Sequence, residues 1–159
     1  MNKNIDNSCF GFWITRVYNK LRNSLSHKLK KYDLTIEQRQ ILLVLYQFGA
    51  MSQRELCEKT FSEPSNITVT LNRMKQRDLI SKLKHPNDNR ALLITPTKKA
   101  LKLKKELQNI GSDNTLSLLE GIEPQKQQIA IEVLQQMYQK SLENEITATL
   151  KNNQSQLLN

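Results

Sequence analysis

Between residues 52 and 95 a helix start, a short helix, a second helix start and two β-prone runs follow one another, and that succession leaves few folds open. Ser52-Gln53-Arg54-Glu55 sets a hydroxyl and a carboxylate at the spacing where the two side chains cap a helix start reciprocally. The helix it opens is short and ends near Lys59-Thr60. Ser62-Glu63-Pro64 restarts a helix, with serine as the expected cap and proline in the first turn. Ile67, Leu71 and Met74 then recur at helical spacing as an inward stripe. Ser65, Val69, Asn72 and Gln76 fall on the opposite side, flanked by Asn66, Thr68 and Arg73. Small hydrogen-bonding side chains on an outward face suit a helix that lies in a major groove. Residues 79–84 (LISKLK) and 91–95 (ALLIT) are β-prone runs around a turn-rich tip, His85-Pro86-Asn87-Asp88-Asn89-Arg90. The expected fold class is mostly α with a small β-hairpin wing, a winged helix-turn-helix over residues 35–105.

The flanking segments are helical by pattern. Trp13, Val17, Leu21, Leu25, Leu29 and Tyr32 give a long apolar stripe on a first helix, capped within Asp6-Asn7-Ser8 and running to about Lys31. Thr35-Ile36-Glu37-Gln38 is a second capping box, opening a helix with Ile41, Leu42, Leu45 and Phe48 inward and Gly49 at its end. After the hairpin, Thr95-Pro96 is the expected start of one long helix through Ala100, Leu103, Leu107 and Ile110, weakened at Gly111 and closing on Leu118 and Leu119. Glu123-Pro124 opens the last, with Ile129, Val133, Met137, Ile146 and Leu150 on one stripe; residues 151–159 read as a disordered tail. Long N- and C-terminal helices (1–34 and 106–150) carry more apolar surface than one small lobe needs. They either form an internal three-helix core or pack on a second copy. Reading two half-sites of a duplex favours a two-fold homodimer.

Charge narrows the partner. Eleven of the 24 basic residues lie in 71–105, opposed there only by Asp78 and Asp88, so this window holds the chain's entire net +9. A charge run is commonly just a solvated face, but one that coincides with a groove-reading helix and wing points to a polyanion. Double-stranded DNA fits better than RNA, for which no RNP-like aromatic strand is present. The wing residues expected to meet it are Lys82, Lys84, Asp88, Asn89 and Arg90; those on the helix are Ser65, Asn66, Thr68, Val69, Asn72 and Arg73.

Here the run RDLISKLKHPNDNRALLITPTKKA resembles the wing and following helix of the MarR family of bacterial transcription regulators. That family carries Asp-x-Arg at the wing tip, matched by Asp88-Asn89-Arg90, and a Leu-Thr-x-x-Gly helix start, matched loosely by Ile94-Thr95-Pro96-Thr97-Lys98. Lys98 and Asp78 stand where glycine is usual, and Val69 stands near a frequent arginine of the recognition helix. The resemblance covers about residues 10–147. It implies a homodimer binding a (pseudo)palindromic operator, long helices interlocked with the second copy, and Arg90 entering the minor groove beside Asp88. Some family members sense oxidants through a cysteine near Cys9. The residues themselves favour a second reading, a small apolar side chain packed beside Phe10.

Other functions find no support. The histidines are His27 and His85 alone, the four glycines form no phosphate-cradling loop, and Cys9, Cys57 and the histidines lack metal-ligand spacing. Neither an enzyme, a metal nor a cofactor is expected. Two cysteines 48 positions apart argue for a reducing cytoplasm, and no apolar run is long enough to enter a membrane. A small-molecule effector could sit among Phe10, Phe12, Trp13 and Tyr18, although aromatics at helical spacing are more often core. The alternative to a sequence-specific regulator is a non-specific, nucleoid-like DNA-binding protein using the same wing.

Overall fold

The computed structural model describes residues 9–85 and 88–157, without the side chains of residues 85–91 and 149–157. Two compact units divide the chain, Met1–Ser117 and Leu118–Asn159. The first is larger than the expected 35–105 region, because the N-terminal helix packs into it.

That helix, α1 (Phe10–Leu29), starts at Cys9 without a side-chain cap; the expected caps at residues 6–8 lie outside the described residues. A single 3-10 turn, Lys30–Tyr32, ends on Asp33 in the left-handed region (φ 52°), where a short polar side chain is tolerated. Then α2 (Ile36–Phe48) opens on the capping box: the Gln38 amide N–H donates to the Thr35 hydroxyl, and the Thr35 N–H to Gln38 Oε1, both at 3.2 Å. β1 (Met51–Ser52), α3 (Gln53–Thr60), α4 (Pro64–Gln76), β2 (Ile80–His85), β3 (Asp88–Pro96), α5 (Lys98–Lys102) and α6 (Lys104–Leu119) follow. The strands form an antiparallel sheet in the order β1-β3-β2. β1 was not expected, since two residues carry no periodicity. It places Met51 opposite Ile94 and so joins the helical core to the wing's base.

Leu29, Leu42, Leu45, Leu56, Ile67, Leu71, Met74, Leu79, Ile80, Ile94 and Leu107 are buried in one cluster, with Leu25 packed against it. Leu25 and Leu29 therefore belong to this unit's own core, while the apolar residues near the start of α1 stay exposed. Phe48, expected inside, is exposed instead and lies under the Lys59 ammonium, 4.1 Å from its ring centroid. Tyr46 takes the inward place. Its hydroxyl donates to the Ala100 carbonyl, and burial, helped by the charge of Glu106, pushes its pKa up to about 12.

The helix after the wing begins later than expected and is broken. Thr95 and Pro96 still pair with Ser81 and Ile80, so the cap falls to Thr97, whose hydroxyl accepts the Ala100 N–H at 3.2 Å. A break at Leu103 then separates α5 from α6. α6 runs unbroken through Gly111. A Cβ there would lie 2.2 Å from Arg39 Nη2, so glycine leaves room for an arginine whose Nε donates to the Leu107 carbonyl at 2.9 Å. Farther along, buried Asn114 donates to the Leu21 carbonyl at 3.1 Å and accepts from the Ser24 hydroxyl, fixing α6 to α1.

The second unit is dominated by α7 (Pro124–Leu157), with Gln127 Nε2 bound to the Ile122 carbonyl at 2.7 Å near its start. The helix continues through residues 151–157, where the sequence pattern predicts a disordered tail. No glycine or proline follows Pro124, so nothing local stops it. Ile129, Ile131, Leu134, Met137, Tyr138 and Ile146 are exposed on α7. Among the described residues no helix is long and apolar enough to cross a membrane.

Candidate nucleic-acid interface

Two helices, α3 and α4, and the turn between them hold the candidate reading surface. α3 opens on Ser52, whose hydroxyl accepts the Glu55 N–H while the Glu55 carboxylate accepts the Ser52 N–H at 2.7 Å. It ends at Phe61, an exposed aromatic with φ 51°. The turn is secured from inside: the buried Thr60 hydroxyl donates to the Leu56 carbonyl at 2.6 Å, and Gln40 Nε2 to the Thr60 carbonyl at 3.2 Å. Ser62 does not cap α4 as expected. Its hydroxyl lies 2.9 Å from Thr60 Oγ1, and Glu63 occupies the cap position without a side-chain bond, Pro64 following as first helical residue. Proline has no N–H to satisfy there, so the start tolerates a weak cap.

On α4 the expected inward residues Ile67, Leu71 and Met74 are buried. Ser65, Asn66, Thr68, Val69, Asn72 and Arg73 are all exposed, and helical geometry puts them on one face. Two hydroxyls among its neighbours bond backward along the helix, Thr68 to the Pro64 carbonyl at 2.7 Å and Thr70 to the Asn66 carbonyl at 2.9 Å. A shallow open groove of about 550 Å³ runs beside this face, lined by Thr35, Glu37, Phe61, Asn66, Val69 and Arg73 among others. Phe10, Phe12, Trp13 and Tyr18 do not line it. They sit on α1, with Phe12 and Trp13 edge to face at 5.5 Å.

Asp78 explains the way out of α4 into the wing. Its φ of 55° is the conformation for which glycine is the usual solution, and aspartate tolerates it better than most side chains. The Asp78 carbonyl is held by the Thr97 hydroxyl at 2.7 Å. In the wing, Lys82 stands opposite Ile94 and is half-buried; Lys84 stands opposite Leu92 and is exposed. A bulge between Lys84 and His85 precedes the pair His85–Asp88, so Asp88, Asn89 and Arg90 begin β3 rather than lying in a six-residue tip as expected. Pro86 and Asn87 lie outside the described residues, as do the side chains of Asp88, Asn89 and Arg90.

The structure also redistributes the basic window. Arg77 turns away from the reading face: Nη2 pairs with Asp33 at 2.8 Å and Nη1 donates to Gln38 Oε1 at 3.2 Å, locking the end of α4 to the α1–α2 junction. Lys99 Nζ donates to the Arg77 carbonyl at 2.9 Å, and Lys104 lies over the Tyr46 ring. These three cations serve the fold. Arg73, Lys75, Lys84, Lys98, Lys102 and Lys105 remain exposed. Near the base of the groove, burial acts to raise the Glu37 carboxyl, but bonds from Arg22 (2.7 Å), its own backbone and Thr35 outweigh it and hold the group below the usual carboxylate range.

Gln53 is the interface residue the sequence reading missed. Its Nε2 donates to Thr68 Oγ1 at 2.7 Å, bridging the two helices at the reading face. Fifteen positions separate them, and no periodic pattern joins them. Cys9, the candidate redox residue, is exposed in the single chain, as is Phe10 beside it. Cys57 is half-buried against the core. Among the described residues no cluster of His, Cys, Asp and Glu could hold a metal.

A helix pair meeting at a tight turn, with an exposed polar face on the second helix and a β-wing after it, defines the winged helix-turn-helix class. The chain matches the model of the MarR family over residues 34–92. It is 26% identical to the HTH-type transcriptional repressor IacR of Pseudomonas putida over 99 residues, which are 62% of this chain and 59% of that relative. A MarR-like transcription regulator from Bacillus cereus superposes with a TM-score of 0.72 at 28% identity, over 82% of this chain and 94% of the other. MepR of S. aureus, solved in complex with DNA, gives a TM-score of 0.77 over 83% and 98% at 18% identity, a likeness of fold.

Proposed function

We propose that this protein is a sequence-specific regulator of transcription that binds double-stranded DNA as a homodimer on a (pseudo)palindromic operator. The observation that carries it is the α4 face: six exposed side chains, five of them small and uncharged, next to exposed cations of the helix end and wing. Cations toward phosphate position the protein, and the helix face reads base edges. That MepR was solved on DNA supports the same docking.

The base preference follows from the side chains. Asn66 and Asn72 can pair bidentately with adenine, Thr68 and Val69 carry methyls for thymine, and no arginine or lysine precedes Arg73 on α4. Half-sites should therefore lean to A·T. Homodimerisation is supported by the exposed apolar residues of α1 (Phe10, Trp13, Ile14, Val17) and, separately, of α7 (Ile129, Leu134, Met137), an extent unusual for monomers. Selection of bound fragments from random DNA should return two such half-sites with centres about 34–36 Å apart or a multiple of it. Light scattering should give twice the 18.5 kDa chain mass. A monomer, or selected sites dominated by G·C in both halves, would contradict this function.

Control by an effector or by oxidation belongs to the same proposal, and the exposure of Cys9 favours the oxidative route. Peroxide should release DNA from the native protein and leave Cys9→Ser bound. An equal response in both would end the role of Cys9.

A further inference from the structure

We infer that Gln53 and Thr68 act as one reading unit, in which Gln53 pins the Thr68 hydroxyl so that Thr68 meets DNA through its methyl group and selects thymine at one position of each half-site. The inference rests on the DNA-reading role of α4 and names what one residue of that face reads.

A threonine hydroxyl has one proton and two lone pairs. Here the proton is given to the Pro64 carbonyl at 2.7 Å, four residues back along the same helix. One lone pair accepts Gln53 Nε2, also at 2.7 Å. Both bonds are well within ordinary hydrogen-bond length, and they come from two different helices. No hydroxyl proton is left for guanine O6 or N7, adenine N7 or thymine O4, the acceptors that a free threonine could address in the major groove. Two bonds to one oxygen also fix the side-chain rotamer, and with it the direction of the methyl. Thr68 is exposed on the same face as Val69 and Asn72, so its methyl belongs to the surface offered to bases. A methyl recognises the thymine C5-methyl, which cytosine and uracil lack. Gln53 is thus a positioning residue. It acts through Thr68, and nothing in its local sequence marks it.

The chemistry allows a probe that changes one methyl group on the DNA. In the operator selected by the wild-type chain, each thymine of a half-site is replaced in turn by uracil, and binding is measured for wild type, Thr68→Val, Thr68→Ser and Gln53→Ala. Valine keeps the methyl and removes the hydroxyl; serine does the reverse. At one thymine, wild type and Thr68→Val should each bind the uracil operator about fourfold more weakly, the worth of one buried methyl. Thr68→Ser should bind both operators equally there, and Gln53→Ala should fall between, because its threonine is no longer held. If Thr68→Ser keeps the discrimination while Thr68→Val loses it, the hydroxyl reads the base and the inference fails. Wild-type discrimination retained in full by Gln53→Ala would likewise overturn the pair. A wild-type protein that prefers its operator but ignores every uracil would refute this unit alone, whereas one that selects no operator would refute the regulator reading itself.

Discussion

Arg90 is the residue on which the wing's role turns. Its backbone lies in β3 two residues after Asp88, and we propose that its side chain enters a narrow, A·T-rich minor groove. An Asp–Arg pair on a surface is otherwise worth about 0–1 kcal/mol to folding, so its contributions to binding and to stability separate cleanly. Arg90→Ala should leave the melting temperature nearly unchanged and cost about 1–3 kcal/mol of operator affinity. Titration of labelled operator with a folded, dimeric variant checks this; unchanged affinity would remove the wing from the mechanism. Legibility differed from residue to residue. Asp78 could be singled out because it stands where a glycine is usual, and its φ of 55° gives the reason. Gln53 could not, because its contact with Thr68 exists only after α3 and α4 have packed. Arg77 was counted with the DNA-facing charge and belongs to Asp33 and Gln38, since a charge tally does not say where a long side chain turns.

At the scale of elements, the helices with strong local signals were readable and those set by tertiary pairing were not. Thr35 and Ser52 carry complete capping boxes, and both helices begin there. The start of α5 shifted from Thr95 to Thr97 because the β2–β3 ladder holds Thr95 and Pro96, a contest that local sequence does not record. Phe48 stayed out of the core because Lys59 covers it and Tyr46 fills the space, which only packing decides. Gly111 read as a weak point in a helix and serves as clearance for Arg39. These two readings have a measurable difference. Alanine in a helix interior is favoured over glycine by about 1 kcal/mol, so Gly111→Ala in an Arg39→Ala background should stabilise the protein by about that amount. In the native background, where the guanidinium must move, the gain should be smaller or reversed. Urea denaturation of the two single variants and the double variant measures the coupling; strictly additive effects would show that Arg39 and Gly111 are independent.

At the scale of the whole molecule, α1 and α7 each expose apolar residues that the proposed second copy would cover. Mostly helical architecture, the wing and the polar α4 face were legible from periodicity and turn residues. The two-unit division at residue 117 was not, because α6 spans it without a break that a sequence pattern could mark. What distinguishes this function from a non-specific, nucleoid-like binder is the use of the α4 face, since both would employ the same cations. Phosphate contacts alone give binding that is indifferent to sequence and falls steeply with salt. Base contacts add a preference on top of it. The most direct measurement is competition, at physiological salt, between the operator selected by the protein and random duplex of equal length. The account predicts a preference of about a thousandfold or more, largely lost in Asn72→Ala while binding to random duplex is unchanged. Equal affinity for the two duplexes would contradict it.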